Sequence, residues 1–124
     1  MARVLVVDDS GLSRRMLRRM LEEAGHVVSE AEDGASAIER YALETPDAVL
    51  LDLTMPDLDG LEVLANLRQL DPEAVVVIAT ADIQDITRAQ ALEGGAAGYL
   101  TKPLRREEVL AVLSGALEKR RAPR

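Results

Sequence analysis

Five side chains able to do chemistry stand where apolar runs of the sequence stop. "RVLVV" at 3–7 runs into Asp8 and Asp9, "DAVLL" at 47–51 into Asp52, "AVVVIA" at 74–79 into Thr80, and "AGYL" at 97–100 leads to Lys102 and Pro103. Three carboxylates brought together repel one another and are costly to keep ionised unless a cation sits among them. A hard divalent ion that prefers oxygen meets that need. Mg2+ takes one or two carboxylates and fills the rest of its octahedron with waters or a phosphate oxygen. With such an ion and an ammonium on the same side, a phosphoryl group can be accommodated and the charge on its oxygens neutralised as it transfers.

Taken singly, these residues have plainer readings. An acid at a strand-to-helix junction commonly caps the helix, which would account for Asp8 or Asp9 alone. Thr80 alone reads as a turn hydroxyl and Lys102 alone as a solvated lysine. Asp52 resists this treatment: it ends a run built for burial, and Asp59, seven residues on, is better placed to cap the next helix. In "VLLDLTMPDLDG" the remaining acids, Asp57 and Asp59, are thus a loop acid and a cap. What points to a site is the joint placement of the other groups at four strand ends.

The elements that must position them follow from hydrophobic periodicity. The four continuous runs suit strands buried on both faces, while "HVVSEA" at 26–31 alternates as an edge strand does. Between them, Leu12, Met16, Leu17, Met20, Leu21 and Ala24 make one helical face, stopped by Gly25. A second helix spans Gly34 to Glu44 and halts before Pro46. Leu61, Leu64, Leu67 and Leu70 mark a third, with Pro72 beyond its end. A fourth runs from Asp82 or Gln84 to Leu92, closed by "EGG", and Val109, Leu110, Val112, Leu113, Ala116 and Leu117 mark the last. Strand-helix alternation five times over predicts an α/β fold, a doubly wound (βα)5 parallel sheet with helices on both faces. Ligands bind such sheets outside the carboxyl ends of the strands, at the switch point of the winding. If the strand order is 2-1-3-4-5, strands 1, 3, 4 and 5 are neighbours and the reactive groups converge on one edge.

Composition bounds the rest. At 124 residues the chain is one domain in size, expected to span 1–120, with 121–124 as a tail or the start of a linker. The apolar fraction of 48% excludes disorder, and with no Phe or Trp and two Tyr the core must be aliphatic. The lack of cysteine removes disulfides, thiolate metal sites and thiol nucleophiles. The opening "MARVLVVDDS" is too short for a signal-peptide core or a membrane span, so a cytoplasmic protein without membrane insertion is expected. A net charge of −7 opposes binding to a nucleic-acid backbone, and the basic end "EKRRAPR" reads as a solvated tail.

From "VLVVDDS" through "AEDGASAIE", "DAVLLDLTMPDLDG" and "VVVIATA" to "GGAAGYLTKPL", nearly the whole chain resembles the receiver (CheY-like) domain of two-component response regulators. The resemblance implies roles by position. Asp52 would accept a phosphoryl group from a sensor histidine kinase or a histidine phosphotransfer protein. Asp8, Asp9, Asp52 and the backbone carbonyl of Thr54 would hold Mg2+ (or Mn2+), Asp9 directly and Asp8 largely through water. Thr80 would be the hydroxyl that moves to the phosphoryl group, Lys102 the ammonium that contacts it, and Pro103 the proline after a cis peptide. Tyr99 aligns with an aromatic whose rotamer reports the switch, although by itself it reads as an aromatic packed at a strand edge. Thr54, Ala81 and Asp82 occupy positions that tune phosphoryl transfer and lifetime. Leu58 and Leu104 depart from the pattern, standing where Met and Phe are common.

The implied function is a phosphorylation-activated switch rather than an enzyme, with intrinsic self-phosphorylation and self-dephosphorylation chemistry. Its output face would be the fourth helix, fifth strand and fifth helix, where Arg88, Gln90, Arg105 and Arg106 are candidate contacts for an effector protein. A monomer or a phosphorylation-dependent dimer is expected, with no direct nucleic-acid contact. Two other classes share parts of this pattern. A flavodoxin-like electron carrier needs hydroxyls in its first loop to cradle FMN phosphate, whereas "DDSGLS" opens with two acids. A Mg2+-dependent aspartyl-phosphate hydrolase typically carries Asp-x-Asp after its first strand, and here the acids are adjacent. A receiver that signals without phosphorylation is disfavoured because every expected site residue is present.

Overall fold

Branched aliphatic runs become five parallel strands, and the segments between them become helices. The computed structural model describes residues 1–54 and 59–121. Their order is β1 (Arg3–Val7), α1 (Gly11–Glu23), β2 (Val27–Ala31), α2 (Gly34–Glu44), β3 (Ala48–Leu51), α3 (Gly60–Leu70), β4 (Val76–Thr80), α4 (Asp85–Glu93), β5 (Gly98–Thr101) and α5 (Arg106–Arg121). The sheet runs β2-β1-β3-β4-β5, all parallel, so β2 is an edge strand as its alternation predicts. Successive strand residues point to opposite faces, and two cores result. Leu5, Val7, Val49, Leu51, Val76 and Ile78 meet α2, α3 and α4 through Tyr41, Val63, Leu64, Leu67 and Ala91. Val4, Val6, Leu50, Val77 and Leu100 meet α1 and α5 through Leu17, Leu21, Val109, Leu113 and Ala116. Among the described residues no helix is long and apolar enough to cross a membrane.

Local chemistry sets the helix ends. Asp33 and Asp59 cap α2 and α3, the latter accepting from Leu61 N–H at 2.9 Å as the sequence predicts. α1 is capped by Ser10, whose hydroxyl accepts from Ser13 N–H, so neither Asp8 nor Asp9 is spent as a cap. Gly25 lies at φ 91°, the left-handed stop read from the sequence. Some expectations shift. α4 begins at Asp85 rather than Asp82 or Gln84, because the Asp82 carboxylate accepts from Gln84 N–H and makes a turn ahead of the helix. Leu12, Met16 and Leu70 are at least half exposed and Ala24 is also exposed: the sheet reaches Leu17 and Leu21 on α1, and the apolar face is wider than its contact. Met16, Met20 and Leu104 line a groove of about 150 Å³ beside Lys102. Asp57 and Leu58 lie outside the described residues.

Candidate functional site

β1 and β3 are paired along their length, so Asp8 and Asp52, each the residue after its strand, emerge side by side. The backbone holds both: Asp8 N–H donates to Ala31 O at 3.1 Å and Asp52 N–H to Val7 O at 3.0 Å. Both side chains are buried, Asp8 2% and Asp52 5% exposed, while Asp9 faces solvent. One carboxylate oxygen from each of the three lies within 4.8 Å of the others. Such a cluster of oxygen donors suits a hard divalent cation. The three acids expected at this edge are thus brought together.

The Lys102 ammonium bridges the two buried acids, donating to Asp8 Oδ2 at 2.7 Å and to Asp52 Oδ2 at 3.2 Å. Burial works against its charge, but the hydrogen bond to Asp8 and the charges of Asp52 and Asp8 outweigh it and hold the ammonium above the usual lysine range. The other oxygens are also engaged. Ser10 N–H donates to Asp8 Oδ1 at 2.9 Å, and the Thr54 N–H and hydroxyl both donate to Asp52 Oδ1 at 3.0 Å. Thr54 therefore touches the candidate acceptor directly. The Lys102–Pro103 peptide is cis, and Lys102 N–H donates to Thr80 O at 2.8 Å, tying the turn after β5 to the end of β4.

Thr80 is fully buried, with its hydroxyl accepting from Asp82 N–H at 3.3 Å. Asp82 in turn joins two elements: its Oδ2 accepts from the Thr87 hydroxyl at 3.0 Å on α4, and its backbone carbonyl from the Tyr99 hydroxyl at 2.9 Å on β5. Tyr99 is half-buried, and burial, then the Asp82 charge, pushes its phenol up against the opposing influence of Arg88. The Arg88 guanidinium lies over its ring, 5.8 Å from the centroid. Tyr99 is thus bonded to the loop that follows Thr80, which a strand-edge aromatic need not be. Ala81 is exposed at the mouth of this loop. The candidate output contacts Arg88, Gln90, Arg105 and Arg106 are all exposed, and Arg106 is in addition paired with Glu23 of the neighbouring α1 at 3.5 Å.

Two residues that sequence reasoning passed over belong here. A Cβ on Gly60 would fall 2.3 Å from Leu53 Cα, so only glycine lets α3 begin against the backbone next to Asp52. The apparent signal was its position directly after the capping Asp59. Arg14 donates to the backbone carbonyl of Asp8 at 2.6 Å. Nothing in one sequence separates it from Arg15, Arg18 and Arg19 short of knowing the phase of α1.

Comparison with known proteins agrees with this geometry. The profile of the response regulator receiver domain matches residues 4–114. The chemotaxis protein CheY of Halobacterium salinarum is 38% identical over 114 residues, covering 92% of this chain and 95% of that protein. A CheY-like receiver domain protein from Methanospirillum hungatei, 24% identical, shares the backbone fold with a TM-score of 0.92, covering 98% of this chain and 97% of that one. CheY of Borrelia burgdorferi, solved as a CheX-CheY-BeF3-Mg complex, is 32% identical with a TM-score of 0.87, covering 90% and 85% of the two chains. These matches select the receiver over the flavodoxin-like and hydrolase readings. The chain belongs to the response regulator receiver domain family, the phosphorylation-activated signalling domains of two-component systems.

Proposed function

We propose that Asp52 is the phosphoacceptor, that Asp8, Asp9, Asp52 and the Thr54 carbonyl hold Mg2+ or Mn2+, and that Thr80 and Tyr99 carry the signal outward. The observation that supports this most is the buried Asp52 carboxylate bridged by Lys102 to Asp8 within a cluster of three acids. A carboxylate oxygen of Asp52 attacks the phosphorus of a phosphohistidine; the P–O bond forms, the P–N bond breaks, and the imidazole leaves with a proton. The metal, when bound, supplies charge neutralisation to the transferring group. Lys102 supplies the second positive charge, and β3 fixes Asp52 so that positioning contributes most of what the protein adds. The domain acts on its own side chain, adding and losing the phosphoryl group, rather than on a separate substrate.

The new phosphoryl group brings up to two negative charges and three acceptor oxygens to a cleft already satisfied without them. Thr80, released from Asp82 N–H, turns its hydroxyl to the group, and the loop holding the Tyr99 hydroxyl shifts with it. Passing from mostly inactive to mostly active needs about 5.5 kcal/mol of differential stabilisation, spread over these contacts. The readout face is α4, β5 and α5, with an effector protein as partner and a histidine kinase or phosphotransfer protein as donor. The chain works in the cytoplasm, as a monomer or phosphorylation-dependent dimer, without contacting nucleic acid.

The deciding experiment treats the protein with acetyl phosphate and Mg2+ and reads the intact mass. Wild type gains one phosphoryl group and Asp52→Asn gains none while keeping its fold. Full labelling of Asp52→Asn at another residue would overturn the assignment.

A further inference from the structure

β1 ends at Val7, so the carbonyl of Asp8 has no place in the sheet ladder. It is claimed instead by α1: Arg14 Nη1 donates to it at 2.6 Å. Arg14 is itself held, with Nε donating to Glu30 Oε1 at 3.1 Å and its side chain only 17% exposed. Glu30, on the edge strand β2, is fixed from its other oxygen by Arg18 Nη1 at 2.6 Å. Asp8 is thereby held at both of its backbone groups, its N–H to Ala31 O and its C=O, which begins the peptide to Asp9, to Arg14. Asp9 is exposed, and no side-chain partner orients it among the described hydrogen bonds. The backbone that leads into Asp9 carries the Asp8 carbonyl that Arg14 holds.

We infer that Arg14 is a positioning residue for the divalent-ion site, fixing the Asp8–Asp9 peptide, and that Glu30 serves by holding Arg14 and offsetting its charge. The inference rests on the proposed metal reading of the acid cluster. A guanidinium this close has two opposed effects. Its charge repels an incoming cation, whereas its hydrogen bond sets the geometry that binds one. Outer groups that orient metal ligands are worth about 10–100-fold in affinity. The Glu30 carboxylate cancels much of the repulsion, so the geometric effect prevails.

The sign of one measurement separates the two effects. Mg2+ is titrated into metal-free protein and followed by backbone amide NMR, which also shows that each variant is folded. Arg14→Ala is expected to weaken Mg2+ binding about tenfold, and Arg14→Lys, which keeps one donor for the carbonyl, falls between it and wild type. Acetyl phosphate labelling of both variants slows at low Mg2+ and recovers when Mg2+ is saturating. Arg40→Ala removes an equal charge from the same polar recess without touching Asp8, and binds as wild type or slightly tighter. Unchanged or tighter binding by Arg14→Ala would overturn the inference, as would an equal loss in Arg40→Ala. Should Arg14→Ala not fold, Arg14→Lys decides by the same criterion. Failure of wild type to bind Mg2+ at all would instead overturn the metal reading, and this inference with it.

Discussion

Lys102 is the only cation that touches the carboxylates of the two buried acids among the described hydrogen bonds, and its position gives it two uses. Besides its proposed part in transfer, it neutralises Asp8 and Asp52 when no metal is bound. Replacing it by Met leaves two carboxylates, 2% and 5% exposed, without a compensating charge. Removing one partner of a buried pair costs about 3–5 kcal/mol, and the lower end applies because the Lys102 side chain is 22% exposed. Lys102→Met should therefore melt well below wild type without Mg2+ and recover more than wild type does when Mg2+ is added. Equal Mg2+ stabilisation of the two proteins would count against this account. At this scale the sequence was informative where chemistry alone marks a residue. Three acids, a hydroxyl and an ammonium at strand ends are visible as letters, whereas Arg14 becomes visible only when the phase of α1 turns it toward the Asp8 carbonyl.

Elements differ in how far their neighbours dictate them. The strands were legible because continuous burial leaves an unbroken aliphatic run, whereas alternation alone allows more than one doubly wound order and the order 2-1-3-4-5 came with the resemblance to receiver domains. Helix starts were less legible, since capping depends on which side chain bends back: Ser10 does so for α1, and Asp82 instead makes a turn before α4. The approach of α3 to β3 was not legible at all. It depends on the path of the backbone around Gly60, whose N–H donates to Leu53 O at 3.2 Å. Gly60→Ala would drive a Cβ into Leu53 Cα, Leu53 C and Leu53 O, with no flexible side chain to yield. A loss of about 1–3 kcal/mol is expected on denaturant unfolding. Because Leu53 lies between Asp52 and Thr54, labelling by acetyl phosphate should slow as well. Wild-type stability for this variant would show that the close contact relaxes freely.

For the whole molecule, the titrating groups predict a sensitivity to acid. Burial, then the nearby N-terminal charge, lowers His26, whose Nδ1 accepts from Ala2 N–H at 3.0 Å. The hydrogen bond from Arg18 lowers Glu30 against its partial burial, with Arg14 adding to the effect, and the Ser36 N–H and hydroxyl lower Asp33. In each case the unfolded chain binds its proton at a higher pH than the folded one. The stability is then complete above the unfolded pKa and is lost as pH falls through the folded value. The histidine contribution fades below about pH 6.5 and the carboxylate contributions below about pH 4.3. The net charge of −7 relaxes over the same interval and works the other way, so the comparison must be with a variant. Between pH 7.5 and pH 5.5 (about one unit either side of the histidine value), wild type should lose more of its melting temperature than His26→Gln; parallel curves would remove His26 from the account. The aliphatic composition has a practical consequence as well. With no Phe or Trp, Tyr41 and Tyr99 are the only side chains in the chain that absorb in the near ultraviolet. Tyr41 lies in the core, its hydroxyl bonded to Asp71 at 2.8 Å, and Tyr99 lies against the loop after β4. The near-ultraviolet spectrum therefore has two chromophores with separate duties: one internal standard that changes when the protein unfolds, and one whose difference signal would follow the proposed switch without any label.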